Sequence, residues 1–149
     1  MLEFQPLSAA NFSQYQEDIL RSEELFPAAI RETGEDYLAA LGQQAALGLV
    51  AHRQGSYVGN VVGFSPDAEQ QDQLRLPHLA PGTADLLYLF NIVTMPQFQG
   101  LGYGRQLLNE FCLPARQAGF ARISGHFRGN GSLKNFTALG GRPLATCPN

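Results

Sequence analysis

The chain has 149 residues, 44% of them hydrophobic, with a net charge of −3, three histidines and two cysteines. That length suits a single domain, which commonly runs to ~100–150 residues, and no apolar run approaches the ~18 residues of a membrane span. A single lysine and no basic cluster argue against nucleic-acid binding, and Cys112 and Cys147 have neither a disulfide framework nor metal-ligand spacing.

Met1–Gln14 holds no basic segment followed by an apolar one, so secretion is not expected and a cytoplasmic protein is. Charge is uneven along the chain. Residues 1–72 carry eleven acids against Arg21, Arg31 and Arg53, a net −8, whereas residues 73–149 net +5. The acidic half suits a cationic substrate and the basic half a phosphate-rich one; the acids of Glu17–Glu24 read as a solvated helix face.

In chain order, Leu2–Leu7 alternates like a short strand. Ser8 is placed to cap a helix whose apolar stripe is Phe12, Tyr15, Ile19 and Leu20. Pro27 suits a first helical position. Thr33-Gly34-Glu35-Asp36 opens another helix, with Tyr37, Leu38 and Leu41 before Gly42. Leu47–Arg53 and Tyr57–Phe64 read as strands joined by a hairpin at Gln54-Gly55-Ser56. His52 shows no partner in sequence and reads as structural. Ser65–Ala84 is a long polar loop, of a length that is usually functional or mobile.

Leu86–Thr94 is apolar on both faces apart from Asn91, as a covered central strand should be. Pro96 ends it near Met95. Gly100, Gly102 and Gly104 follow, then Tyr103, Leu107, Leu108 and Phe111 at helical spacing. The helix is expected from about Gly102 to Ala118, kinked or cut short at Pro114, with Gly119 as C-cap. Ala121–Phe127 gives a strand, Ser132–Leu139 a short helix and Arg142–Cys147 one more strand. Strands mixed with helices imply a mixed α/β sheet in one domain spanning 1–149.

A strand, a glycine turn and a helix make an anion site, because the first N–H groups of the helix and its dipole point at the ligand. Arg105-Gln106 fails the Lys-Ser/Thr test of a P-loop, and the glycine spacing fails the dinucleotide fingerprint. Gln99-x-x-Gly102-x-Gly104 fits the Q/R-x-x-G-x-G/A signature, and together with Phe90-Asn91-Ile92-Val93-Thr94-x-Pro96 this stretch resembles the GNAT N-acetyltransferases, especially the ribosomal-protein alanine N-acetyltransferases. A purely structural strand–turn–helix is the alternative.

The resemblance implies a mostly antiparallel twisted sheet whose central parallel strands splay to admit a pantetheine arm. It also implies an enzyme that moves an acetyl group from acetyl-CoA to a primary amine in a ternary complex. By the same resemblance, the backbone of Ile92, Val93 and Thr94 binds the pantetheine. Gln99 belongs to the cofactor loop, the N–H groups of Gly100, Leu101, Gly102, Tyr103, Gly104 and Arg105 bind the pyrophosphate, and Asn130 lies near the thioester. His126, in His126-Phe127-Arg128-Gly129-Asn130, falls where look-alike enzymes have a glutamate base; imidazole titrates near neutrality and suits that role. Asp85 is a second base candidate. The family's tyrosine acid, three residues before a Leu-Gly, is replaced here by Phe136, which cannot donate a proton; Tyr88 and Tyr103 are substitutes. Family members continue into a closing hairpin where this sequence has only Arg142–Asn149. No metal is implied, and a monomer or homodimer fits. A non-catalytic acyl-CoA-binding module is the alternative function.

Overall fold

A computed structural model describes residues 1–43, 45–66, 86–120 and 122–125. Its elements run β1 Glu3–Pro6, α1 Phe12–Glu23, α2 Gly34–Leu41, β2 Leu47–Arg53, β3 Ser56–Phe64, β4 Leu86–Thr94, α3 Tyr103–Gln117 and β5 Arg122–Gly125. The long loop at 67–85, the expected helix Ser132–Leu139 and the strand Arg142–Cys147 lie outside the described residues.

The strands form one sheet in the order β1-β2-β3-β4-β5. The first four are antiparallel neighbours, and β5 joins β4 in parallel, pairing Leu86 with Arg122 through Leu89 with Gly125. This is the mixed, mostly antiparallel sheet expected from the sequence. Gln54 and Gly55 both have positive φ, which gives the β2–β3 hairpin the twist of its strands.

Helices cover both faces. On one, Leu107, Leu108, Phe111 and Ala115 of α3 pack on Ala51, Val58, Val61, Leu87 and Leu89. On the other, Phe12 and Ile19 of α1 and Tyr37, Ala40 and Leu41 of α2 pack on Val50, Val62, Phe64 and Tyr88. No helix among the described residues is long and apolar enough to cross a membrane.

Local chemistry explains the element ends. Thr33 and Asp36 make a reciprocal capping box on α2. Phe120 N–H donates to the Ala115 carbonyl and Gly119 N–H to that of Arg116, closing α3 in a Schellman motif with Gly119 left-handed at φ +94°. Three expectations are corrected. Asn11, not Ser8, stands at the start of α1, its side-chain oxygen accepting from Ser8 N–H at 2.8 Å. Pro27 opens only a single 3-10 turn, Ala28–Ile30. Helix α3 is not cut short at Pro114 but continues to Gln117, within one residue of the expected span.

Candidate active site

Strand β4 carries a bulge at its centre. Asn60–Val93, Val61–Ile92 and Val62–Asn91 face one another, but the next pair is Gly63–Leu89, so Phe90 has no partner on β3. A bulge turns the strand and re-aims its side chains, here at the middle of the sheet. Phe90 and Asn91 consequently both reach the α1/α2 face. Phe90 meets the Tyr37 ring edge-on at 5.2 Å, and Asn91 hydrogen-bonds Tyr37 and Glu23.

Beyond the bulge, no described strand pairs with the outer edge of β4. Met95 N–H donates to Val58 O across to β3 at 2.8 Å. Antiparallel pairs alternate, so Val93 and Asn91 also bond towards β3, while the N–H and C=O of Thr94 and Ile92 point the other way. The described part of β5 ends opposite Leu89. Ile92 and Thr94 therefore present backbone groups of the kind that an extended amide chain can pair with. The Gln99 side chain reaches back and donates to Thr94 O at 3.0 Å, closing the turn between β4 and α3.

That turn leads into an open anion cradle. Gly100 and Gly102 sit at φ +81° and +80°, a left-handed backbone that side chains disfavour. A Cβ built on either meets nothing within 4 Å, so the cradle faces open space. Gly102 is the N-cap of α3 and has no side chain to cap it. The first N–H groups of the helix are thus left for a ligand. Arg53, from the end of β2, stands 5.8 Å over the ring of Tyr103, which also packs on Phe98 at 6.2 Å. Arg53 and the exposed Arg105 bring two cations to the elements that form this helix end. The backbone thus fits a diphosphate joined to an amide-bearing arm.

On the opposite face of β4 lies a buried carboxylate. Glu23, the last residue of α1, is only 3% exposed. Its Oε1 accepts from Glu32 N–H at 2.7 Å, and its Oε2 accepts from Tyr37 O–H and Asn91 Nδ2, each at 2.6 Å. The Asn91 amide also donates to the Tyr37 hydroxyl. Burial, reinforced by Glu23, pushes the Tyr37 hydroxyl far above its ordinary range, so Tyr37 stays a donor. Glu32 is held up at about 7, chiefly by burial, then by its hydrogen bond to Asp36 and by the charges of Asp36 and Glu23. Asp36 moves down, because Thr33 N–H donates to it. Nearby, Asn60 is fully buried; its Oδ1 accepts from Tyr57 O–H at 2.5 Å, while its Nδ2 has no partner among the described residues.

Of the residues expected from sequence, Ile92, Thr94 and Gln99 through Arg105 lie along the outer strand edge, the turn and the helix end, whereas the backbone of Val93 bonds towards β3. Leu101 is exposed and Gly104 buried. Tyr88 is buried on the α1/α2 face against Phe64, and burial followed by the charge of Glu32 pushes it up to about 12. Asp85, His126, Asn130 and Phe136 lie outside the described residues. His52 does have a partner, Gln5 Oε1 at 2.7 Å from its Nδ1.

Sequence reasoning missed Glu23 and Arg53. Arg21 does pair with Glu17 and Asp18 on an exposed face, but Glu23 stands four residues after Ile19 on the buried stripe, a position that marks it out. Asn91, the lone polar residue of an apolar strand, carried the matching signal. Nothing local in the sequence brings Arg53 to Tyr103.

Comparison with known proteins follows the geometry. The sequence model of the acetyltransferase (GNAT) family matches residues 12–136. An aminoglycoside acetyltransferase, HMB0005, from an uncultured soil metagenomic sample superposes with a TM-score of 0.70 at 13% identity, over 100% of this chain and 97% of that one. The aminoglycoside N-acetyltransferase AAC(6')-Iy, held with a bisubstrate analogue of CoA and acetylneamine, gives 0.69 at 15% identity, over 100% and 96%. A ribosomal-protein-alanine N-acetyltransferase from Brucella melitensis biovar Abortus 2308 gives 0.63 at 14%, over 100% and 98%. Comparison with curated proteins found no match. With its family model spanning most of the chain and its sheet, bulge and glycine turn in place, the chain belongs to the acetyltransferase (GNAT) family.

Proposed function

We propose that this protein, one acetyltransferase domain over its 149 residues, transfers an acetyl group from acetyl-CoA to a primary amine. The observation that carries the reading is the continuity of two backbone surfaces: the outward edge of Ile92 and Thr94, and the uncapped start of α3 at Gly102. Diphosphate at the helix end and a pantetheine arm paired to the strand edge place the acyl end towards the bulge at Phe90–Asn91.

The amine nitrogen attacks the thioester carbonyl carbon, the C–S bond breaks, and sulfur leaves as thiolate. A base removes the amine proton, and the thiolate takes up a proton. His126, next in sequence after Gly125 of β5, is our candidate base, with Asp85, immediately before β4, as the second. Tyr88, kept protonated by its high pKa, is a candidate acid. Asn130 is assigned to the cofactor near the thioester.

Strong negative charge in residues 1–72 supports a cationic acceptor, and two of the similar structures are aminoglycoside acetyltransferases. A peptide N-terminus is the other acceptor class, as in the ribosomal-protein enzyme. A cytoplasmic monomer or homodimer completes the proposal. Phe136 at the usual tyrosine position favours one second reading, an acyl-CoA-binding module without turnover. Acetyl-CoA titration followed by thiol release against an amine panel separates the two: turnover supports the enzyme, and binding without turnover the module.

A further inference from the structure

Among the described residues, the Asn91 amide is the one side-chain group that joins the buried carboxylate of α1 to the strand edge proposed for the acyl end. Its nitrogen is fully committed, donating to Glu23 Oε2 at 2.6 Å and to the Tyr37 hydroxyl. Its oxygen has no side-chain partner among the described residues, and Asn91 itself is partly exposed. Which way the amide faces is not free. Glu23 takes three donors, one of them the backbone N–H of Glu32, which cannot rotate to become an acceptor. With Tyr37 O–H also donating to Glu23 Oε2, the carboxylate leaves Asn91 only the donor orientation.

We propose that Asn91 Oδ1 accepts a hydrogen bond from the acceptor amine, and that Glu23 is the positioning residue that fixes this orientation. The inference rests on the acetyltransferase reading and names the acceptor-side contact. An amine whose N–H points at an oxygen keeps its lone pair free for the thioester. An amine facing an N–H has that lone pair tied up. The negative charge of Glu23 behind the amide polarises Oδ1 and favours amines with several cationic centres. Asn91 is adjacent to Ile92, whose backbone faces the proposed pantetheine, and its side chain lies on the α1/α2 face, opposite the α3 face. The donor thus approaches along the edge of β4 and the acceptor from the α1/α2 face.

The test is a pair of variants that reverse the hydrogen-bond polarity and restore it. In Glu23→Gln the amide oxygen must stay on Glu32 N–H, so Gln nitrogen takes the place of Oε2. Asn91 then has to flip, turning its NH₂ towards the acceptor. Amine kcat/KM should fall about 10- to 100-fold, as when a hydrogen-bonding group is left facing no partner, while the acetyl-CoA Kd holds within 2-fold. Adding Asn91→Asp gives Gln nitrogen a carboxylate to donate to, keeps one negative charge, and again turns an oxygen outward. Amine kcat/KM should recover to within about 3-fold of wild type.

A role confined to stability would shift Tm in both variants without this loss and recovery. Wild-type amine kinetics in folded Glu23→Gln overturns the inference, and so does a folded double variant that binds acetyl-CoA and recovers nothing. Should Glu23→Gln fail to fold, Asn91→Ser, at a partly exposed position, must show the same loss; unchanged amine kinetics there overturns the inference. If the wild type releases no thiol with any amine, the acetyltransferase reading has failed first, which is a separate result from unaltered variants of an active enzyme.

Discussion

Phe111 of α3 packs its ring tip against Gly63 of β3, where a built Cβ would stand 3.0 Å from Cζ and 3.0 Å from the Tyr88 carbonyl oxygen. Gly63 is the β3 residue at the bulge, paired with Leu89. The absence of one side chain thus sets how closely the cofactor helix lies on the strand pair that frames the site. Phe111 is fully buried, so it cannot simply rotate into solvent.

Gly63→Ala should therefore overpack this contact. Such insertions cost ~1–3 kcal/mol, and the displaced start of α3 should weaken acetyl-CoA binding as well. Urea unfolding together with calorimetric titration measures both. Unchanged stability and affinity would show that the helix seats elsewhere.

Gly102→Val attacks the cradle itself. At φ +80° an L side chain carries a strain of roughly 1–2 kcal/mol, and the added Cβ would stand in the open space reserved for the ligand. Acetyl-CoA affinity should fall at least ~10-fold with the fold retained. A folded variant of normal affinity would remove this turn from the binding site.

Arg53 has no partner in the local sequence pattern, yet its guanidinium covers Tyr103 at the helix start. Arg53→Gln should raise the acetyl-CoA Kd about 2- to 5-fold at low salt, in line with a charge contact near the surface. The difference should vanish near 1 M salt, where screening acts over ~3 Å. An effect that persists at high salt would point to packing rather than charge.

Much of this was readable from sequence, for physical reasons that also explain the gaps. Glycines at 100 and 102 with a following helical stripe announced the turn, because few other residues take φ near +80°. The two-face apolar run of β4 announced a central strand. The bulge left no trace, since a skipped pairing at Phe90 depends on its β3 partner. Glu23 looked like one more solvated acid until Glu32 ahead of α2, Tyr37 of α2 and Asn91 of β4 supplied its three donors from 9, 14 and 68 residues away. His52 likewise finds Gln5 47 residues upstream.

Glu32 predicts a pH dependence. Its folded value, about 7, lies above the ordinary 4.5, so the folded state holds more protons between those limits. Its stabilising contribution is therefore complete below pH 4.5 and is lost as pH rises through about 7. Glu32→Gln should lose less stability than wild type across that window, with the two curves parallel above pH 8. Thermal melts from pH 4.5 to 8 measure this, and a constant offset throughout would contradict the assignment.

The central claim is that the edge of β4 and the start of α3 together bind acetyl-CoA for delivery to an amine. Calorimetric titration of the full chain with acetyl-CoA, wild type beside Gly102→Val, tests it most directly. The account predicts saturable one-to-one binding by the wild type and a loss of about 10-fold or more in the folded variant. No binding by the wild type, or equal binding by both, would contradict it.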